Sequence, residues 1–285
     1  MADSEDIFGA DFLRRLQALE AALLRLRGSA GEGVARRGRS QGNADFRGNR
    51  PYAQGDDIRR LDWNAYGRLG RLYLREFERE RTEHVTLLVD QSLSMAAGEP
   101  PKHAAARRLA AAIGYLALAG GGSAALAGQP AIEGQARFPR LLDALRAASP
   151  LSGASLGSAL AALAALRRAP SDLFVISDGL EPAEAFAPLA ELTGRRTQVT
   201  LALLLAPQEF SPPLAGPVLV TGAEENETLP LNLDADLVAA YRQELDRHLA
   251  DLALLARRNG WTLAVADSAA DVSSLLLGEL ALGAP

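Results

Sequence analysis

Val85-Thr86-Leu87-Leu88-Val89-Asp90-Gln91-Ser92-Leu93-Ser94 and Asp172-Leu173-Phe174-Val175-Ile176-Ser177-Asp178-Gly179 are the two stretches that decide the fold. Each opens as a nearly continuous apolar run, with none of the alternation of a half-solvated strand. That is the pattern of a parallel strand covered on both faces. Each run then ends in a carboxylate with hydroxyls beside it. Between and after them, helical spacing returns at Lys102–Ala119, Phe138–Ala147, Ser155–Arg168 and Pro182–Leu192, with a further apolar strand over Thr197–Leu205. Strands alternating with helices imply an α/β fold, a doubly wound and mainly parallel sheet with right-handed crossovers.

Working outward, Phe12, Leu16, Leu19, Leu23 and Leu26 form one stripe of a helix over Phe8–Arg27, which Gly28 ends. Ser29–Arg50, rich in Gly, Arg, Ser and Asn, reads as irregular, and Leu72 and Leu74 alternating with Tyr73 and Arg75 read as a strand running towards Glu80. Ser123–Gly128 and Ala131–Gly134 are two short strands. Ala206–Leu233 holds Pro207, Pro212, Pro213, Pro217 and Pro230 and reads as a loop with a small hairpin. A long amphipathic helix over Asp236–Arg258, a strand over Trp261–Ala266 and a helix over Ala269–Leu280 close the chain. The expected organisation is a helix with an Arg-rich irregular or β extension over 1–82, packed on an α/β domain over 83–285 with a Pro-rich insertion at about 206–233.

The chain of 285 residues is 48% hydrophobic and 23% charged, enough to bury a sizeable core, built mainly from Leu, Ala and Val because aromatics are only 5%. Cysteine is absent, which removes disulfides, thiolate metal sites and cysteine nucleophiles together. Met1–Asp6 is acidic and leads into no apolar signal core. The most apolar stretch, Leu109–Leu126, is broken by Gly114, Gly120, Gly121 and Gly122. The expectation is a cytoplasmic protein with no membrane span. Between Arg36 and Arg81 there are twelve Arg against seven Asp or Glu, although the net charge of the chain is -5. These arginines either pair with neighbouring carboxylates or present a basic docking surface. Asp56, Asp57, Asp62, Glu76, Glu78 and Glu80 interrupt the run, so nucleic acid is not an expected partner.

In an open α/β sheet, ligands bind beyond the carboxyl ends of the strands at the switch point. Asp90, Ser92, Ser94 and Asp178 all fall there. An Asp-x-Ser-x-Ser turn offers a carboxylate and two hydroxyls at alternate positions, the oxygen donors that magnesium or manganese prefers. The same residues in a structural role would cap the helix that follows. His84, His103 and His248 fit no zinc motif, and there is no nucleophile elbow, phosphate loop or dinucleotide fingerprint. The expectation is therefore a non-enzymatic protein. A metal-dependent phosphohydrolase using the same carboxylates is the alternative, weakened because Ser92 stands where such enzymes place a second acid.

Asp90-x-Ser92-x-Ser94 after one apolar strand and Ile176-Ser177-Asp178-Gly179 after another resemble the metal-ion-dependent adhesion site (MIDAS) of von Willebrand factor A domains. Ahead of them, Tyr52-x-x-Gly55-Asp56-Asp57-x-Arg59-x-x-Asp62-Trp63 resembles the DUF58 family. So do Arg68-x-Gly70-x-Leu72, Phe77-x-x-Glu80-Arg81 and Lys102. The resemblance implies a Rossmann-type, von Willebrand factor A-like domain that binds a protein partner. It further implies a MoxR-type AAA+ ATPase as that partner, in a chaperone-like or complex-maturation role. One position departs from the pattern. Ala154 stands where A-type domains supply a metal-binding threonine, leaving Ser155 or Ser152 as substitutes, or a vestigial site in a structural subunit. Asp56, Asp57, Arg59, Asp62 and Trp63 form either an ion-pair and anchoring network or a docking epitope.

Overall fold

The computed structural model describes residues 7–29, 45–51, 73–78, 84–167, 169–213, 216–222 and 228–279. The chain falls into two units, one joining Met1–Ala30 to Glu83–Pro285 and the other spanning Gly31–Thr82. In the smaller unit, β1 (Asp45–Pro51) and β2 (Tyr73–Glu78) pair antiparallel, with an irregularity between Phe46 and Gly48. The sequence pattern anticipates β2 but reads Asp45–Arg50 as irregular. Gly48, Asn49 and Pro51 are poor strand formers, and the strand is defined by its partner rather than by its own propensity. Asp56, Asp57, Arg59, Asp62 and Trp63 lie outside the described residues.

The larger unit is built on a six-stranded sheet. Its strands are β3 (His84–Val89), β4 (Ser123–Leu126), β5 (Ile132–Glu133), β6 (Asp172–Ser177), β7 (Gln198–Leu205) and β10 (Thr262–Asp267), in the order β10-β7-β6-β3-β4-β5. All neighbours are parallel except β4 and β5. Five residues of β3, Val85–Val89, are buried, as are Val175, Ile176 and Ser177 at the end of β6, which is why both strands read as nearly continuous apolar runs.

Helices cover both faces. On one lie α1 (Ala10–Ser29), α2 (Lys102–Ala119) and α3 (Phe138–Ala147), packed with Leu87, Val89 and Ile176. The expected stripe of α1 is buried at Phe12, Leu16 and Leu19, and Phe8 joins it. The inner face of α2 is largely alanine, and an added Cβ at Gly114 would meet Leu141 Cδ2 at 2.3 Å and Leu87 Cδ1 at 3.3 Å. Gly114 is thus what allows α2 to sit close to β3 and α3.

On the other face lie α4 (Leu156–Ala164), α5 (Ala187–Gly194) and α7 (Ala235–Asn259), packed through Leu160, Phe186, Leu189, Leu252 and Trp261. The chain leaves β3 over the first face to reach β4, and leaves β6 over the second to reach β7. The switch point therefore lies between β3 and β6, which are direct neighbours. The result is a mixed α/β, Rossmann-like unit.

Three expected elements take a different form. The helix expected to reach Arg168 ends at Ala164, where the Arg195 guanidinium donates to the carbonyls of Ala164, Leu166 and Arg167 and satisfies the free helix end. The Pro-rich insertion holds the expected hairpin, of β8 (Gly216–Thr221) and β9 (Thr228–Leu233), and adds a one-turn helix α6 (Pro207–Phe210) in place of the expected loop. The closing helix is a short turn α8 (Val272–Ser274) followed by a π-helical turn over Leu275–Glu279.

Candidate functional site

Asp90 follows β3 directly and still belongs to the ladder, because its N–H donates to the Ile176 carbonyl at 2.9 Å. The chain then turns back on itself. Asp90 Oδ1 accepts the Ser92 N–H at 2.8 Å, and Oδ2 accepts the Ser177 hydroxyl at 2.6 Å. Asp90 is 3% exposed, and both partners are neutral. Burial pushes its carboxyl above the usual aspartate range. The Ser177 and Ser92 hydrogen bonds pull it back only in part, and the nearby Asp178 charge adds to the rise. Ser92 and Ser94 stand side by side, with their hydroxyl oxygens 3.0 Å apart.

Asp178 is the next residue after β6 and is 2% exposed. Its Oδ1 accepts the Leu180 N–H at 3.2 Å and its Oδ2 accepts Lys102 Nζ at 2.9 Å. Lys102, the first residue of α2, is fully buried and donates to Glu209 as well. Glu209 is held in turn, since its Oε2 accepts the Ala206 N–H at 2.6 Å. A cation at the N-terminus of a helix opposes the helix dipole, so this ammonium depends on its two carboxylates. The loop before α2 is tied to α6 a second time, where the Gln208 amide donates to the Glu99 carbonyl at 2.9 Å and accepts the Glu99 N–H at 3.3 Å.

Gly179 makes the turn after Asp178 possible. Its φ is +70°, and an added Cβ would meet Leu203 Cδ2 at 2.7 Å. Its carbonyl lies 2.7 Å from His248 Nε2 of α7, a bond that requires the proton on that nitrogen. Gly179→Ala is expected to cost about 1–3 kcal/mol, combining left-handed strain with overpacking against Leu203. Urea unfolding of the variant, with the slope unchanged and the midpoint lowered, is the check; an unmoved midpoint would contradict it.

The third loop is joined to the first through the Leu151 N–H, which donates to the Gln91 carbonyl at 2.8 Å. Ser155 is the N-cap of α4, where its Oγ accepts the Ser158 N–H at 3.2 Å. Ala154 donates its N–H to the Leu151 carbonyl in the turn before it. The Glu181 carboxylate, from the loop after β6, accepts the N–H groups of both Leu156 and Gly157 and so occupies the first turn of α4.

Thus Asp90, Ser92, Ser94 and Asp178 gather at one end of the sheet, while Ser155 spends its hydroxyl on a helix cap. Sequence reasoning missed the parts played by Lys102, Glu209, Ser177 and Glu181. Of these, Glu209 alone left a usable signal, since Pro207 followed by Glu209 is the pattern of a helix start.

A divalent cation can be tested against these donors. Two cis ligands of an octahedral magnesium with bonds of 2.0–2.1 Å are about 3.0 Å apart, which is the separation of the two serine hydroxyls. The neighbouring carboxylate, Asp90, has no cation hydrogen-bonded to it among the described residues. Asp90, Ser92 and Ser94 therefore fit such an ion, whereas Asp178 already carries an ammonium and the Ala154 side chain offers no oxygen. Among the described residues, no group of three or more His, Cys, Asp or Glu side chains forms a metal cluster.

A family model described as "Protein of unknown function DUF58" matches residues 48–251. The chain belongs to the DUF58 family. Uncharacterized proteins of Mycobacterium bovis and Mycobacterium tuberculosis are each 28% identical to this DUF58 chain over 225 residues, 74% of it and 71% of theirs. Two solved structures also match. One is the conserved hypothetical protein BatB from Bacteroides thetaiotaomicron, with 15% identity, 70% of this chain and 98% of that one covered, and a TM-score of 0.41. The other is an aerotolerance-related membrane protein from Bacteroides fragilis, with 17% identity, 70% and 96% covered, and a TM-score of 0.40. No helix among the described residues of the DUF58 chain is long and apolar enough to cross a membrane.

Proposed function

We propose that this DUF58 protein is a cytoplasmic, non-enzymatic docking module with a von Willebrand factor A-like domain, whose partner binds at the carboxyl end of the sheet. The observation that carries this reading is the composition of that end. A polar centre of buried Asp90, Ser92 and Asp178 with half-buried Ser94 is flanked by exposed apolar side chains, with Leu151 57%, Leu180 45% and Phe210 40% exposed. Leu151 is anchored to Gln91, Leu180 follows Gly179, and Phe210 follows Glu209. Exposed apolar contact area beside polar groups that fix register is what a protein-binding patch requires.

A magnesium or manganese ion would be held by Asp90, Ser92 and Ser94, with Asp178 near it and Ser155 a weaker contributor from the third loop. Bound there, it would supply an open coordination position for an oxygen of the partner. With Asp90 ionised, three carboxylates against one ammonium leave two net negative charges, which suits a divalent ion. By resemblance to its family, the partner is a MoxR-type AAA+ ATPase, in a chaperone-like or complex-maturation role.

A second reading, a structural subunit with a vestigial ion site, is favoured by Ala154 and by the engagement of Ser155 in a cap. Titration calorimetry with magnesium and manganese on the wild type and on Ser92→Ala separates the two. Saturable binding weakened at least tenfold in the variant supports the ion site. Binding of a MoxR-type ATPase that is equally strong with Ser92→Ala and with Asp90→Ala would remove this surface from consideration.

A further inference from the structure

We propose that Lys102 is a resident counter-cation that limits how tightly the site binds a divalent ion and latches it to α6. The inference rests on the ion-site reading above and assigns to Lys102 a part that reading does not contain. Lys102 is the first residue of α2, completely buried, with its ammonium 2.9 Å from Asp178 Oδ2 and also hydrogen-bonded to Glu209. A lysine is rarely buried unless paired, and this one stands at the helix end where a cation is least favoured. Two carboxylates from different loops, one after β6 and one in α6, converge on it.

The consequence is electrostatic. Asp178 is already neutralised from within, so an arriving ion gains little from it and relies on Asp90, Ser92 and Ser94. The ammonium also repels that ion directly, in a setting that screens poorly. The same ammonium joins the loop after β6 to the Pro-rich insertion. A partner or ion that draws Asp178 away from Lys102 therefore loosens α6, and with it the exposed Phe210. Lys102 is a positioning and affinity-setting residue, not itself a ligand.

The test uses manganese and magnesium binding by calorimetry on the full chain, with folding checked by circular dichroism. Lys102→Met removes the positive charge at similar length, and the affinity for both ions is expected to rise at least tenfold. Glu209→Gln works in the opposite direction. It takes away one negative charge and leaves Lys102 to Asp178 alone, so ion affinity is expected to fall several-fold. Opposite signs are the signature, because a merely structural lysine would make both variants bind worse.

Unchanged or weaker binding in folded Lys102→Met overturns the proposal, as does the absence of ion binding in both this variant and the wild type. If Lys102→Met does not fold, Glu209→Gln decides alone, and anything other than weakened binding overturns it. Ser92-dependent binding in the wild type, alongside unmoved variants, would leave the ion site standing and remove only the role of Lys102.

Discussion

Lys102→Met is expected to destabilise the protein by about 3–5 kcal/mol, the usual result of removing one partner from a buried ion pair. Asp178 would keep the Leu180 N–H and little access to water. Lys102 is fully buried and Asp178 is 2% exposed, so the variant leaves a carboxylate facing a methionine. The cost lies in the stranded carboxylates rather than in the net worth of the pair, which the desolvation of three charges largely cancels.

One consequence distinguishes this from ordinary core damage. Millimolar magnesium or manganese should recover part of the loss, since an ion that binds only the folded state stabilises it by mass action. Urea unfolding with and without added manganese measures both. A loss below about 1 kcal/mol would mean that water or a side-chain rearrangement already solvates Asp178.

The sheet was legible in the sequence because burial on both faces leaves nothing to mask. Val85–Val89 is apolar apart from Thr86 and Leu173–Ile176 is apolar throughout, and their neighbours follow from the alternation of strands with helices. The meeting of Asp90 with Ser177 was missed, because it depends on β3 and β6 being direct neighbours, which only the folded sheet shows. Both residues end parallel strands that pair directly, so a hydroxyl and a carboxylate 87 positions apart fall within 2.6 Å.

The ion triad was not legible. Lys102 reads as a helix-start residue and Glu209 as part of a Pro-rich loop, and no periodicity connects positions 107 residues apart. Only the return of β7 beside β6 brings α6 over the start of α2. Ser155 shows the opposite failure. Its place in the motif suggested a ligand, but a serine before a helix is also a good N-cap, and the local hydrogen bond to Ser158 prevailed. Strand β1 was hidden because Gly48 and Pro51 oppose strand formation until a partner strand supplies the ladder.

Asp90→Asn is expected to raise stability at neutral pH while abolishing function, and the two effects together identify a site that the fold maintains at its own expense. Burial is the largest influence on Asp90 and outweighs the hydrogen bonds from Ser177 and Ser92, so its pKa in the folded protein lies above the ordinary value of 3.8. In the window between those two values, the native state binds the proton and the unfolded state does not. Stability therefore falls as pH rises through that window, and the deficit is complete above it.

Asparagine removes the deficit, because it carries no charge to desolvate and keeps the Oδ1 that accepts the Ser92 N–H. The expected gain is about 2–4 °C in Tm at pH 7, the shift that about 1 kcal/mol produces in a domain of this size. It should shrink as the pH is lowered towards 3.8, where wild-type Asp90 becomes protonated as well. Over the same comparison, manganese affinity should drop at least tenfold, since the only carboxylate among the three fitted donors has lost its charge. A variant less stable than the wild type at every pH would mean that the Ser177–Asp90–Ser92 hydrogen bonds hold the β3–β6 junction together. Asp90 would then be a structural residue first.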